Sequence, residues 1–99
     1  METVYCCGKP VRIFVWRQNR LDGSQSTIKL FCVSDVIAAV GIKNRKKWIQ
    51  TRKKNNTFVL YDKIYIADRQ TLAPLLGRSM HPNVCRVMVN LQLSYFDLS

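Results

Sequence analysis

The segment Ser34–Lys54, SDVIAAVGIKNRKKWIQTRKK, predicts two helices separated by a tight turn. Three apolar residues recur with the spacing of one helical face: Val36, Ile37 and Val40. Gly41 follows them in the position where glycine commonly ends a helix. Ser34 or Asp35 is the expected N-cap, because either side chain offers an oxygen to the free amides of the first turn. We therefore expect the first helix to be short and mostly buried.

A second helix is expected to begin after Asn44, which is a suitable N-cap, and to run to Lys54. At about 100° per residue, Trp48 and Ile49 form its single apolar stripe. The opposite side is polar and basic and carries Lys46, Lys47, Gln50 and Lys54, with Thr51 and Lys53 at its margins. This helix is expected to pack by a narrow stripe and to expose a broad cationic face.

The twelve residues Lys43–Lys54 concentrate the positive charge: seven are Lys or Arg and none is acidic. The 99-residue chain has a net charge of +10, so the other 87 residues carry only +3. Such a patch attracts polyanions and releases their counterions, and nucleic acid is the expected polyanion. Arg45 and Arg52 project beside the apolar stripe and are expected to reach past it to solvent or phosphate. The patch has too few apolar residues for an interfacial membrane helix. A solvated helix face and a nuclear import signal are the simplest alternatives.

Two β-hairpins are expected to flank the helices, because four segments are rich in β-branched and aromatic residues. They pair in chain order as Val11–Trp16 with Thr27–Val33, and Thr57–Leu60 with Ile64–Ile66. Asn19–Ser26 supplies turn residues for the first hairpin, and Tyr61–Lys63 joins the strands of the second. In winged helix-turn-helix arrangements such a second hairpin lies beside the recognition helix. Lys63 at its tip is therefore a candidate phosphate contact.

The last third of the chain is expected to contain a helix and a strand. Residues 68–77 predict a helix in which Pro74 would interrupt the interior if Asp68 were the N-cap. Thr71 is the preferred cap, because Pro74 then falls in the permitted first turn. The expected inward-facing residues are Leu72, Leu75 and Leu76, with Gly77 ending the helix. From Val87 to Tyr95, strict alternation predicts a half-buried strand, either a core strand or the edge of a homodimer.

A single α+β domain over residues 1–99 accommodates these elements. The four cysteines, Cys6, Cys7, Cys32 and Cys85, form no Cys-x-x-Cys pair and follow no charged-then-apolar leader, which indicates free thiols and an intracellular protein.

His81 and Cys85 have metal-ligand spacing, but the adjacent Cys6 and Cys7 suit the rest of a site poorly, so neither metal nor cofactor is expected. One histidine and six scattered acids give no catalytic constellation, so we expect no enzyme.

Seven segments carry a family resemblance: Phe31–Val36, Val40–Asn44, Lys46–Ile49, Tyr65–Ile66, Leu72, Leu75–Ser79 and Pro82–Asn83. In this order they resemble the amino-terminal DNA-binding domain of the baculovirus repeated open reading frame (BRO) family, which is shared with phage antirepressors. The likeness covers about residues 11–83. From about Val84 the chain diverges, because the family would place a further helix there and this segment alternates like a strand.

The resemblance implies a small α+β domain of viral origin that binds DNA, often with little sequence preference. The roles it implies are transcription control or chromatin interaction inside the infected nucleus, without enzymatic activity. Carried over by position, the implied binding segment is Lys43, Asn44, Arg45, Lys46 and Lys47. Charge alone selects the same turn and helix start.

The expected function is electrostatic, weakly specific DNA binding. The side chains expected to contact DNA are Lys43, Asn44, Arg45, Lys46, Lys47, Gln50, Thr51, Arg52, Lys53 and Lys54, assisted by Lys63 and Arg78. Most are lysines, which contact phosphate, whereas Asn44, Gln50 and Thr51 suit base edges. A rival interpretation is a protein-interaction module that docks an acidic partner. A third is RNA or single-strand binding, with Trp48 stacked on an unpaired base.

Overall fold

In a computed structural model, the described residues are 2–54, 58–78 and 81–91, and they form five strands and four helices. The strands are β1 (Glu2–Cys6), β2 (Lys9–Asn19), β3 (Gln25–Cys32), β4 (Val59–Tyr61) and β5 (Ile64–Asp68). The helices are α1 (Val33–Val40), α2 (Arg45–Arg52), α3 (Arg69–Gly77) and α4 (Val84–Asn90). This composition confirms the predicted α+β class. Within the described ranges, no helix has the length and apolar character needed to cross a membrane.

The five strands form one antiparallel sheet in the order β1-β2-β3-β5-β4. The pairing of β2 with β3, and of β4 with β5, confirms both predicted hairpins. The second hairpin turns at Asp62 and Lys63, which both have positive φ. Thr57, which was expected to begin it, lies outside the described residues. β1 was not predicted, because five residues followed directly by the Cys7-Gly8 turn are too few to establish a period.

The hydrophobic core lies between one face of the sheet and the helices. It includes Val11, Ile13 and Phe31 from the sheet, Val36, Ile37 and Val40 from α1, and Leu72, Leu76, Val84 and Val87 from the last two helices. The predicted apolar face of α1 is therefore confirmed. At about 1.5 to 3 kcal/mol for each large buried side chain, this burial is the main force that holds α1 in place.

The predicted N-cap of α1 is wrong. The helix starts at Val33, one residue after the end of β3, and its N-cap is Cys32, which makes no side-chain capping hydrogen bond. Asp35 lies inside the first turn, where its carboxylate accepts hydrogen bonds from the backbone and side chain of Arg12. Asp35 therefore ties α1 to β2 instead of capping the helix.

The preference for Thr71 as the cap of α3 is also wrong. Asp68 is the N-cap, and its side chain accepts a hydrogen bond from the Thr71 amide at 2.8 Å. Pro74 therefore lies in the helix interior and removes one backbone hydrogen bond. The Asp68 cap and the burial of Leu72 and Leu76 offset this loss. Leu75, expected to face inward, is half-buried.

The predicted terminal strand is wrong wherever the structure describes it, because residues 84–90 form α4. Buried side chains recur at helical spacing: Val84, Val87, Met88 and Leu91. Val89, which a strand would bury beside Val87, is 68% exposed. The proposed dimer edge accordingly has no strand over Val87–Asn90, and residues 92–95 of that prediction lie outside the described part of the chain.

Candidate nucleic-acid interface

The turn between α1 and α2 consists of four residues, Gly41–Asn44, and is held by backbone hydrogen bonds. Gly41 adopts the left-handed conformation with φ of 102° and donates to the carbonyls of Ile37 and Ala38, at 3.1 Å each. The Ile42 amide also donates to Ile37, at 3.1 Å. Asn44 then caps α2, as predicted, because its side-chain oxygen accepts a hydrogen bond from the Lys47 amide at 3.1 Å. These bonds fix the start and direction of α2.

A small aromatic cluster anchors α2 to the body of the protein. Trp48 and Ile49 are both 8% exposed and belong to the core, which confirms the predicted packing stripe. The Trp48 ring is stacked with Phe58, with centroids 6.4 Å apart. The Arg52 guanidinium lies over the same indole, 4.4 Å from its centroid. Trp48 therefore serves as an anchor, and little of its ring is accessible for stacking on a base.

Most of the residues predicted to contact DNA in this segment are exposed around the anchor. The exposed residues are Lys43, Asn44, Arg45, Lys46, Lys47, Gln50, Thr51 and Lys54. Arg52 and Lys53 are half-buried. Lys46, Lys47 and Gln50 lie on the side of α2 opposite the buried stripe, as helical spacing requires. We call these ten residues the basic surface.

Five cations of the basic surface are not neutralised by any carboxylate of the described residues. Among residues 2–54, 58–78 and 81–91, no carboxylate forms an ion pair with Lys43, Arg45, Lys46, Lys47 or Lys54. The described acids are engaged elsewhere or lie on other elements: Glu2 in β1, Asp22 in the β2–β3 turn, Asp35 on α1, Asp62 in the β4–β5 turn and Asp68 at the start of α3. The positive potential of the basic surface therefore faces solvent.

Arg12 and Asp35 show the contrasting case of a neutralised cation. Their side chains form an ion pair at 2.8 Å, and the Arg12 amide donates to the same carboxylate at 3.0 Å. Burial favours the protonated form of Asp35, but the hydrogen bonds and charge of Arg12 outweigh it and lower the carboxyl pKa below its ordinary value. The side-chain hydrogen bonds to Asp35 raise the pKa of the Arg12 guanidinium. This pair positions α1 and contributes no free charge.

Lys53, the residue after α2, contacts the β4–β5 hairpin, and Lys63 lies at the tip of that hairpin. The Lys53 ammonium donates to the Tyr65 hydroxyl at 3.2 Å and lies 5.5 Å from the centre of that ring. Lys63 is exposed at the hairpin tip, two residues before Tyr65. The hairpin is thus attached beside α2, as the wing comparison predicts. Arg78 is exposed at the C-cap of α3, and no contact among the described residues joins it to α2.

Sequence reasoning missed Lys9. This residue starts β2, and its ammonium donates to the Ala38 carbonyl at 3.2 Å, near the C-terminus of α1. Lys9 lines an open groove beside the α1–α2 turn together with Lys43, Arg45 and Asp35, the last of which is paired with Arg12. No local motif identifies Lys9, because its position depends on the β1–β2 hairpin, which was not predicted. It adds a third cation to the turn side of the basic surface.

The cysteines and the histidine are not gathered into a site within the described part of the chain. Cys6 and Cys32 are buried, whereas Cys7 and Cys85 are exposed, and none is in a disulfide. Burial raises the pKa of the Cys6 and Cys32 thiols. No three His, Cys, Asp or Glu side chains among residues 2–54, 58–78 and 81–91 are grouped to hold a metal ion. His81 is exposed.

Comparisons of the chain with protein-family models, with curated proteins and with solved structures give no match.

Proposed function

We propose that this protein binds duplex DNA electrostatically, with weak sequence preference, through the basic surface of α2 and the preceding turn. The observation that supports this proposal most is the display of Lys43, Arg45, Lys46, Lys47 and Lys54 on one short helix and the turns at its two ends, without a carboxylate partner among the described residues; α2 ends at Arg52, so Lys54 lies in the turn after it and not on the helix as expected. A helix presented after a tight turn is a common way to place side chains in a DNA groove. Polyphosphate binding then gains from counterion release.

Weak sequence preference follows from the side chains available. Lysines dominate the basic surface and contact phosphates, which carry no sequence information. The side-chain oxygen of Asn44 is already used as the helix cap, so Asn44 is poorly placed for a bidentate contact with adenine. Gln50 and Thr51 are exposed beside the lysines and are the remaining candidates for base contacts. We expect these two residues to provide any modest preference.

The resemblance to the BRO amino-terminal domain gives this proposal its biological setting. In that setting the protein is viral, acts in the host nucleus and serves transcription control or chromatin interaction. The chemistry of the basic surface does not depend on this setting. A DNA-binding measurement therefore tests the function independently of the family.

The decisive experiment compares two variants of equal net charge. Lys46→Gln with Lys47→Gln removes two charges from the basic surface, and Lys29→Gln with Arg86→Gln removes two exposed charges from β3 and α4. For about five phosphate contacts, log affinity for a duplex should fall with log salt concentration with a slope of about −4 to −5. The first variant should reduce that slope by about 2 and weaken binding about tenfold or more near physiological salt.

The control variant should keep the parent's slope. The proposed function would be contradicted if the Lys46, Lys47 variant bound DNA as tightly as the parent and both proteins were shown to be folded. The rival function is separable in the same assay: if the basic surface docks an acidic protein, polyglutamate should bind and duplex DNA should not displace it. Preference for unpaired oligonucleotides would instead indicate single-strand binding. The burial of Trp48 under Arg52 and Phe58 argues against that outcome.

A further inference from the structure

The outer half of the β2–β3 hairpin extends away from the core as an arm. We define the arm as residues 16–28, where strand pairing continues from Trp16 opposite Ile28 to Asn19 opposite Gln25. Every residue of the arm is exposed except Ser26, which is half-buried. The protein measures 44 Å along its longest axis and 24 Å along its shortest. A hairpin of this kind buries little surface in the domain, which suggests a role in contact with another molecule.

The tip of the arm is an ordered turn that displays an apolar side chain. The Arg20 amide donates to the Ser24 carbonyl at 2.7 Å, and the Gly23 amide donates to the Arg20 carbonyl at 3.1 Å. The Asp22 carboxylate accepts hydrogen bonds from both the amide and the hydroxyl of Ser24. Leu21 is fully exposed within this bonded turn. A single exposed leucine is ordinary on a protein surface. Whether Leu21 marks an interaction site therefore depends on the charged residues around it.

The residues around Leu21 provide those charges. Arg17 and Arg20 are both exposed and lie within four residues of Leu21, and neither forms an ion pair with a described carboxylate. Arg17 lies opposite Thr27 in the ribbon, and two residues nearer the tip Asn19 lies opposite Gln25. These two pairs share one face of the arm, which is therefore polar and basic. Asp22, the arm's only acid, is occupied by Ser24. An apolar tip flanked by arginines is the chemistry by which architectural proteins insert into DNA.

The arm and the basic surface are spaced to suit duplex DNA. Lys9 lies beside the α1–α2 turn at the start of β2, and Arg20 lies at the tip, one residue after β2 ends. At about 3.3 Å per residue, the eleven steps of extended chain from Lys9 to Arg20 span at most roughly 36 Å. One helical repeat of B-DNA is about 34 to 36 Å. Arg17 shares the sheet face of Ile13, which faces the core and helices, because alternate strand residues point to the same side.

We propose that the β2–β3 arm is a second duplex-DNA contact, with Arg17 and Arg20 against phosphates and Leu21 inserted between base pairs about one helical turn from α2. This inference rests on the proposed function and deepens it. A bound duplex would therefore be held at two points and bent between them. A two-stranded ribbon of this size fits the DNA grooves that β-ribbon proteins occupy.

The experiment measures binding to two duplex lengths. A duplex of about 24 base pairs spans two helical turns and can engage both contacts, whereas one of about 8 base pairs is shorter than one turn. Arg17→Gln with Arg20→Gln should weaken binding to the long duplex about tenfold and leave the short duplex unchanged. The Lys29→Gln, Arg86→Gln protein serves as the charge-matched control and should keep the parent's ratio of the two affinities.

The role of Leu21 is measured separately by fluorescence transfer between dyes at the ends of the long duplex. Leu21→Ser should reduce the bend relative to the parent, and Val89→Ser, an exposed apolar residue on α4, should not. The six side chains substituted in these tests are all exposed, so the variants are expected to keep the parent's thermal stability.

Two failures are distinguishable. If the arm variants match the parent on both duplexes while Lys46→Gln with Lys47→Gln loses binding, the arm inference is wrong and the proposed function stands. If the Lys46, Lys47 variant also binds normally, the proposed function itself fails. Two further results would overturn the assignment of the arm to duplex DNA. One is that the arm variants lose binding to single strands but keep binding to duplexes. The other is that the Leu21→Ser protein bends the long duplex as much as the parent does.

Discussion

The two helices of the central segment have equal length and opposite roles. α1 buries five of its eight residues, whereas α2 buries only Trp48 and Ile49. α1 packs against β2, β3, β5, α2 and α4, while the principal neighbour of α2 is α1. α1 is therefore a structural support, and α2 mainly exposes its side chains to solvent. Mutations should therefore affect stability in α1 and binding in α2.

The largest expected effect comes from opening a cavity in α1. Ile37 is fully buried, so Ile37→Ala should lower the free energy of unfolding by about 2 to 5 kcal/mol. Gln50→Ala on the exposed side of α2 should change it by less than about 0.5 kcal/mol. Urea denaturation of both variants measures the contrast. Similar losses of stability from the two substitutions would contradict the different roles assigned to α1 and α2.

The junction between the helices should be the next most sensitive position. An added methyl group at Gly41 would meet only Asn83 Nδ2, at 3.9 Å, so steric conflict is not expected. The left-handed backbone at φ of 102° should nevertheless make Gly41→Ala cost about 1 to 2 kcal/mol. Gly41→Asn should cost less, because asparagine tolerates this conformation better. Thermal unfolding of the pair checks whether backbone strain is the cause.

The tie between α1 and β2 predicts a pH-dependent effect of about 1 kcal/mol, since the Arg12 side chain is 39% exposed and solvent screens the ion pair. The folded-state pKa of Asp35 is lowered by Arg12, so its contribution is present above the unfolded pKa of about 4 and is lost as pH falls through the folded value. The stability gap between parent and Asp35→Asn should be constant from about pH 7 to 5 and narrow below about pH 4. Asp62→Asn, in the exposed β4–β5 turn, is the control and should show no such gap.

A smaller loss of stability is expected at the start of α2. Asn44→Ala removes the capping hydrogen bond to Lys47 and should cost about 0.5 to 1 kcal/mol, because the site is exposed. Hydrogen exchange should show faster opening of the first turn of α2 and little change in α1. Equal acceleration in both helices would mean that they unfold as one unit.

Local patterns were sufficient to predict much of this fold. Both hairpins, the buried face of α1, the Gly41 turn and the Asn44 cap follow from short-range chemistry, and all are present. The candidate site was found for the same reason, because seven cations in twelve residues form a local signal. The strand predicted from Val87 failed because alternation over a few residues also allows a helix that buries Val84, Val87 and Leu91. Packing against α1, α3 and β1 selects the helix.

Propensity, capping and periodicity act over neighbouring residues, so the amino-acid sequence alone specifies which residues are charged, which segment concentrates them and which turn separates the two central helices. The packed fold adds the pairing of Asp35 with Arg12, the capping of α3 by Asp68 despite Pro74, and the position of Lys9 on the turn side of the basic surface. These contacts join residues whose partners depend on strand register and helix packing. Their energies arise when distant segments are brought together, so no local pattern specifies them.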